Sequence, residues 1–170
     1  PVKGAINRIR SMMGLPIVAL WTEAAQIKIY NIQTALEELQ DIDITKNENS
    51  NNKGFVKEES CLLNSFKMQN EGFGLEWSPL RVGRLISGSS DGKINVFETE
   101  DELCSKFTKL GHFYSYHTAS VEDLQFSPTE VDAFASCSVD GTVQVCDMRV
   151  NSYKKAQITI KAHDCDVNVI

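Results

Sequence analysis

An internal repeat with a constant offset of 49 residues is the feature that most constrains this chain. Ser127 lies 49 residues after Ser78, and Asp140 lies 49 residues after Asp91. Each copy carries a Ser-Pro pair and then an Asp-Gly pair between short apolar runs, a spacing typical of three strands joined by tight turns. Because one small sheet cannot bury both of its faces alone, two successive copies predict units that stack on each other.

The later copy, residues 117–149, shows the pattern most clearly. Val121, Leu124 and Phe126 mark the first predicted strand. The second strand is expected over residues 133–138 and the third over residues 142–146.

Polar residues occupy fixed places around these strands. His117 precedes the first strand, Ser136 lies in the second, and Asp140 lies in the turn that follows. A His-Ser-Asp chain can satisfy the polar groups at the corner of a small buried sheet. The same three residue types could form a hydrolase triad, but no Gly-x-Ser-x-Gly elbow surrounds Ser136. The structural role is therefore favoured.

With these residues in place, the segment resembles one blade of a WD-repeat β-propeller. The family's closing Trp-Asp pair is replaced by Cys146-Asp147, so the polar network is expected to be one member short. In the earlier copy Met68 stands in the place of the His and Phe97-Glu98 in the place of Trp-Asp, which predicts a degenerate network. The residues assigned to structural blade networks are His117, Ser136, Asp140, Asp147, Ser87, Asp91 and His163.

The resemblance predicts an all-β fold of about three blades from a larger ring, of seven blades by the family pattern, and a chain that is a fragment of a longer protein. Blade-like units are expected at residues 5–68, 69–110 and 117–161, with the start of a further blade at 162–170. A mobile polar loop is predicted over residues 41–60. Residues 35–40 could extend a strand or form a helical turn. Residues 112–116 are expected to form an inserted aromatic loop, with His112 rejected in favour of His117 as the blade histidine.

Composition excludes several classes of function. The chain has a net charge of −6 and five cysteines with no C-x-x-C pair, which favours a reducing compartment and argues against a metal site. Direct nucleic-acid binding is not expected, because no Lys/Arg stripe is present. We expect no membrane span, secretory leader, enzyme activity, cofactor or small-molecule substrate.

Longer motifs narrow the resemblance. VEDLQFSPTE, EGFGLEWSP and AHDCDVNVI together are similar to the glutamate-rich WD-repeat protein family, which is related to the retinoblastoma-binding histone chaperones. The resemblance implies a non-catalytic scaffold in the nucleus and nucleolus, acting as a chaperone for a basic large-subunit ribosomal protein in ribosome biogenesis. A histone-binding chromatin module and a substrate receptor of a cullin-four ubiquitin ligase are the alternatives.

In propellers the partner surface is usually the top face, reached by residues three and five places after the blade histidine. Counted in this way, the predicted partner-binding residues are Glu71, Phe73, Ser120, Glu122, Asp166 and Asn168. Three of the six are acidic and none is basic, which suits a Lys/Arg-rich client, although exposed acids are also ordinary solvated surface. Arg149, in an Asp-x-Arg sequence, could dock a ligase adaptor, but pairing with a neighbouring blade's carboxylate is favoured.

Overall fold

The computed structural model describes residues 4–40, 58–150 and 152–170. Within them the chain forms three four-stranded antiparallel sheets, each built from strands that follow one another in sequence. This arrangement confirms the predicted all-β propeller fold. The expected mobile loop falls mostly on residues 41–57, which lie outside the described residues.

The three sheets are called blades 1, 2 and 3 below. Blade 1 contains β1 (Ile6–Ser11), β2 (Ile17–Thr22), β3 (Gln26–Asn31) and β4 (Leu62–Lys67). Blade 2 contains β5 (Gly72–Trp77), β6 (Leu85–Ser89), β7 (Ile94–Thr99) and β8 (Phe107–Tyr114). Blade 3 contains β9 (Val121–Phe126), β10 (Ala133–Ser138), β11 (Thr142–Asp147) and β12 (Ile158–Lys161).

Two short helices lie in the described parts of the connection between β3 and β4. Helix α1 covers Gln33–Gln40, so the segment left open between strand and helix is helical. Its start is favoured because the Asn31 side-chain oxygen accepts a 2.9 Å hydrogen bond from the Gln33 backbone N–H, as an N-terminal cap does. Helix α2 covers Glu58–Cys61 and leads directly into β4.

The two largest hydrophobic clusters lie between the blades. One cluster joins blades 1 and 2 and includes Trp21, Leu75 and Phe97. A second joins blades 2 and 3 and includes Val96 and Phe134. Each sheet therefore gains most of its apolar burial from its neighbour, as expected for repeat units that cannot bury their faces alone.

Glycines allow the innermost strands to approach closely. A Cβ atom on Gly88 of β6 would lie 2.4 Å from Val121 Cγ1 of blade 3. A Cβ atom on Gly72 of β5 would lie 2.6 Å from the Trp21 ring of blade 1. Real Cβ atoms do not approach other atoms this closely, so both positions require glycine for the blades to pack.

The aromatic loop predicted at 112–116 is wrong for most of its length, and so is the expected end of blade 2 at residue 110. Strand β8 continues to Tyr114, which pairs with Ile94 of β7. The sequence does not reveal this longer strand, because a bulge in β8 interrupts the alternation of apolar and polar residues that marks a strand. Asn95 and Phe97 of β7 pair with Phe113 and Lys109 of β8, so the β8 side is two residues longer.

Residues 162–170 carry no strand in the structure, and the start of a further blade there stays a prediction. This segment lies against blade 3. The Val167 N–H donates to the Ser138 carbonyl at 3.1 Å, and the Ile170 N–H donates to the Asp123 carboxylate at 3.4 Å.

The close contact at Gly88 gives a direct test of blade packing. We expect Gly88→Ala to lower the free energy of unfolding by about 1–3 kcal/mol, because the added methyl overpacks the contact with Val121. Gly111 is the matched control: it lies in β8 and a Cβ atom there would meet nothing within 4 Å. Gly111→Ala should change stability by less than about 0.5 kcal/mol in the same denaturant titration. Equal effects of the two substitutions would contradict this account of the blade interface.

Candidate functional site

The structure brings His117, Ser136 and Asp140 together at one corner of blade 3. His117 Nε2 lies 2.8 Å from Ser136 Oγ, and His117 Nδ1 lies 3.0 Å from Asp140 Oδ2. The turn before β11 places Asp140, and β10 places Ser136. All three sit where the repeat pattern predicted, and His117 rather than His112 makes these contacts.

The neutral imidazole fits both contacts. Nδ1–H then donates to the Asp140 carboxylate, and Nε2 accepts from the Ser136 hydroxyl. Burial lowers the pKa of His117 below its ordinary value and outweighs the opposing effect of Asp140. The histidine therefore acts as a neutral bridge between a hydroxyl and a carboxylate, which is a structural role.

Asp140 is the ionised end of this network. Burial alone would raise the pKa of Asp140, but hydrogen bonds from Thr142, Thr118 and His117 together lower it below its usual range. The Thr142 hydroxyl donates to Asp140 Oδ1 at 2.6 Å, and the Thr118 backbone N–H donates to Oδ2 at 3.1 Å. The Asp140 carboxylate thus holds together the turn before β11 and the segment that leads into β9.

Cys146 stands where the WD-repeat pattern has tryptophan, and it does not extend the network. Its Sγ lies 2.9 Å from the Tyr116 hydroxyl, which also donates to the Ser152 carbonyl at 3.0 Å. Tyr116 thus occupies the side of β11 next to Cys146. The aromatic residue of this corner comes from the approach to β9 rather than from the end of β11.

The same corner in blade 2 lacks its histidine and is only partly satisfied. Met68 is buried there, and the hydroxyl of Ser87, the counterpart of Ser136, has no hydrogen-bond partner in the described chain. Asp91 binds locally instead, accepting 2.6 Å hydrogen bonds from the Ser89 hydroxyl and the Lys93 ammonium. The degenerate network expected from the sequence thus takes the form of a buried, unpaired serine.

Two other residues assigned to blade networks lie elsewhere. His163 is exposed, and its Nδ1 lies 3.5 Å from Cys165 Sγ. Asp147 forms a two-armed ion pair with Arg149, with Arg149 NH2 2.6 Å from Oδ2 and Nε 2.9 Å from Oδ1. Within the described chain Arg149 therefore pairs inside its own blade, and its pairing with a neighbouring blade stays a prediction. Adaptor docking through Arg149 stays a prediction.

The six predicted partner-binding residues lie near the starts of the innermost strands and in the last segment. Glu71 and Ser120 directly precede β5 and β9, while Phe73 and Glu122 lie within these strands. Glu71, Asp166 and Asn168 are exposed, and Phe73, Ser120 and Glu122 are half-buried. We call this set the rim.

Arg8, to which no sequence pattern pointed, links blade 1 to the rim residues of blades 2 and 3. Its Nε donates to the Phe73 carbonyl at 2.8 Å, and its NH2 donates to the Glu122 carbonyl at 3.2 Å. NH2 also lies 3.8 Å from the buried Asp123 carboxylate. The rim is therefore not purely acidic, and blade 1 supplies its cation. Blade 1 diverges from the repeat, so the repeat pattern does not point to Arg8.

Arg84 is a second residue that the sequence analysis missed. It is only 6% exposed, and its guanidinium pairs with Glu98 of its own blade at 2.8 Å and with Asp132, which directly precedes β10, at 2.6 Å. A buried guanidinium needs this many partners to offset its desolvation. Arg84 thus makes the contact between neighbouring blades that was expected of Arg149.

Other chemistry is limited in the described part of the chain. Four of the five cysteines are buried and all are free. Burial raises the pKa of the Cys137 and Cys146 thiols to about 11, which leaves them poor nucleophiles. Within residues 4–40, 58–150 and 152–170, no group of His, Cys, Asp and Glu could hold a metal ion, and no helix has the length and apolarity of a membrane span.

The paired and unpaired serines allow a matched comparison. Ser136→Ala should lower the free energy of unfolding by about 1–3 kcal/mol, because it leaves buried His117 without the donor to Nε2. Ser87→Ala removes a buried hydroxyl that lacks a partner and should be neutral or stabilising. Chemical denaturation of both variants checks this. A cost for Ser87→Ala as large as that for Ser136→Ala would show that the two corners are equally satisfied.

The lowered pKa of His117 predicts a pH dependence of stability. The unfolded chain, with a His pKa of about 6.5, binds a proton before the folded chain does. The free energy of unfolding should therefore fall as pH decreases below about 6.5. We expect this slope between pH 7.5 and 5.5 to be reduced in His117→Gln and kept in His163→Gln, a control at an exposed histidine. An unchanged slope in His117→Gln would assign the effect to other groups.

No family model matches the chain. The chain is 37% identical over 160 residues to glutamate-rich WD repeat-containing protein 1 of Dictyostelium discoideum, covering 93% of this chain and 30% of that protein. It is 35% identical over 175 residues to ribosome assembly protein rrb1 of Schizosaccharomyces pombe, covering 99% of this chain and 34% of that protein.

A shorter match joins the chain to a second group of proteins. It is 34% identical over 92 residues to histone acetyltransferase type B subunit 2 of Gibberella zeae, covering 54% of this chain and 21% of that protein. The chain thus spans about a third or less of the length of these relatives. The two matches over nearly the whole chain agree with the blade geometry described above. The chain therefore belongs to the WD-repeat family and is similar to its glutamate-rich members.

Proposed function

We propose that the protein containing this chain is a non-catalytic scaffold that acts in the nucleus and nucleolus as a chaperone for a basic large-subunit ribosomal protein. The observation that carries the proposal is the 35% identity to ribosome assembly protein rrb1 over 99% of this chain. Fold alone would not select this function, because propellers serve many partners.

The charge of the chain supports a basic client. Its net charge is −6, and two carboxylates of the rim, those of Glu71 and Asp166, are exposed. An acidic surface attracts Lys/Arg-rich proteins and accelerates their encounter in a salt-dependent manner. Arg8 moderates this field at the centre of the rim, because its guanidinium binds two rim carbonyls and lies near Asp123.

Histone binding is the second candidate. It is favoured by the similarity to histone acetyltransferase type B subunit 2, which covers about half of this chain. Histones are also basic, so the same rim would attract them through the same physics. The two clients are distinguished by their identity in a capture experiment and not by the geometry of the rim.

The rim assignment is tested by capture from nuclear extract. The full-length protein should retain a large-subunit ribosomal protein, and the triple variant Glu71→Lys, Glu122→Lys and Asp166→Lys should lose it, with capture weakening as salt increases. The matched control carries the same change of charge at exposed acids away from the rim, Glu37→Lys, Glu38→Lys and Glu59→Lys. Mass spectrometry identifies and quantifies the captured proteins.

Three results would change the conclusion. Enrichment of histones in place of the ribosomal protein would favour the second candidate. Loss of the client by both triple variants would show that net charge alone attracts it. Retention of the client by the rim variant would show that the rim is solvated surface and that the binding site lies elsewhere.

A further inference from the structure

A pocket of about 320 Å³ lies on blade 2 at the corner where Met68 replaces the blade histidine. Three lysines, Lys67, Lys93 and Lys109, line it, against the single carboxylate of Asp91. The pocket is therefore cationic on a chain whose net charge is −6. A local charge opposite to that of the whole protein indicates a site for an anion rather than ordinary solvated surface.

Asn95 gives the pocket an unpartnered polar group. Its side chain lines the pocket, the residue is only 4% exposed, and its amide makes no hydrogen bond within the described chain. The corresponding residue of blade 3 is Gln144, whose amide reaches the Tyr116 carbonyl at 3.4 Å and the Thr142 hydroxyl at 3.2 Å. Because no group of the described chain binds this amide, Asn95 is available to a ligand in the pocket.

The comparison of blades 2 and 3 explains why the pocket exists. In blade 3 the imidazole of His117 fills the corner and contacts Ser136, Asp140 and Gln144. In blade 2 Met68 turns no polar group toward the corner. The buried Ser87 hydroxyl has no partner, and the Asn95 amide makes no hydrogen bond within the described chain. The corner that His117 occupies in blade 3 thus borders the pocket in blade 2, where Met68 stands in its place.

Strand β8 supplies the wall of the pocket. Its bulge sets Lys109 opposite Phe97 and Phe113 opposite Asn95, so Phe113 and Asn95 share one face of the sheet. The Phe113 ring is partly exposed and lies 5.4 Å from the Lys93 ammonium. The bulge therefore brings a lysine and an aromatic ring to the same pocket, as bulges near functional sites do.

The lysines differ in their availability. Lys93 Nζ is held 2.6 Å from the Asp91 carboxylate. Lys67 and Lys109 are exposed and form no ion pair with any described residue. Two ammonium groups are thus free to neutralise a doubly charged ligand.

We propose that this pocket binds a phosphate monoester in its dianionic form, carried on a small apolar or aromatic group. Lysine ammoniums bind phosphate as compact point charges, and the two unpaired ammoniums of Lys67 and Lys109 match the two charges of a phosphate monoester. The Asn95 amide donates to a phosphate oxygen, and Phe113 packs against the carrier group. The ligand is either a phosphorylated side chain of a peptide or a free phosphorylated small molecule.

Calorimetric titration of the full-length protein with phenyl phosphate at low salt tests the site. Lys67→Gln with Lys109→Gln should weaken binding by about tenfold or more, through the loss of two charge-assisted contacts. Lys154→Gln with Lys155→Gln is the control with the same loss of charge at exposed lysines outside the pocket, and it should bind like the wild type.

Two single variants separate the contributions of the other groups. Asn95→Ala should weaken phenyl phosphate several-fold without a loss of melting temperature, since the amide has no partner in the fold. Phe113→Ala should weaken phenyl phosphate but leave inorganic phosphate unchanged, because only the phenyl group packs on the ring.

The probes also distinguish the two sources. Tighter binding of N-acetyl phosphotyrosine amide than of phenyl phosphate would assign the site to a phosphorylated side chain, and the reverse order would assign it to a free phosphorylated molecule. Either order supports the phosphate site. The proposal is overturned if no probe saturates below about 10 mM, a concentration above any useful affinity, or if the Lys67 and Lys109 double variant binds as tightly as its control.

Discussion

Burial of each sheet against the next is the interaction on which the rest of this structure depends. The two large apolar clusters both lie between blades, and glycine at Gly72 and Gly88 lets Trp21 and Val121 of the adjoining blades approach the strands closely. The polar corners add to this burial and do not replace it. A hydrogen bond contributes about 1 kcal/mol net, whereas one fully buried large apolar side chain contributes about 1.5–3 kcal/mol. The corner networks therefore fix turns and strand entries on units that the apolar contacts already hold together.

The sequence predicted those parts of the fold that depend on local pattern. The constant offset placed blades 2 and 3, since Ser-Pro and Asp-Gly turns recur at fixed positions, and it placed His117 beside Ser136. It could not place Arg8 or Arg84, because their partners lie on other blades, 65 and 48 residues away in the chain for Phe73 and Asp132. It also missed the continuation of β8, because a bulge of two extra residues interrupts the alternation from which a strand is recognised. Long-range pairing and bulges leave no local periodicity to detect.

The two corners show how a repeat can diverge without losing its fold. Apolar packing sustains blade 2 although Met68 makes none of the polar contacts of His117, and at this corner one buried hydroxyl, that of Ser87, is left without a partner. A buried polar group without a partner costs about 1–3 kcal/mol, which a well-packed blade can tolerate. The Asn95 amide makes no hydrogen bond within the described chain, so a ligand can bind it without breaking a contact of the fold. The corner that contributes least to folding is thus the one best able to contribute to recognition.

The proposed phosphate pocket and the rim are adjacent. Because of this proximity, a ligand bound at one site should change the affinity of the other site in a definite direction. Gln69 and Asn70 line the pocket, and the next residue, Glu71, belongs to the rim. The lysines of the pocket reduce the negative potential that a basic client meets at Glu71. A bound dianion would offset the charge of Lys67 and Lys109 and so increase that potential. If both sites act as proposed, phosphate and client each strengthen the binding of the other, because the coupling free energy between two sites is reciprocal. A loss of this mutual effect at high salt would follow from the same screening that weakens the rim itself.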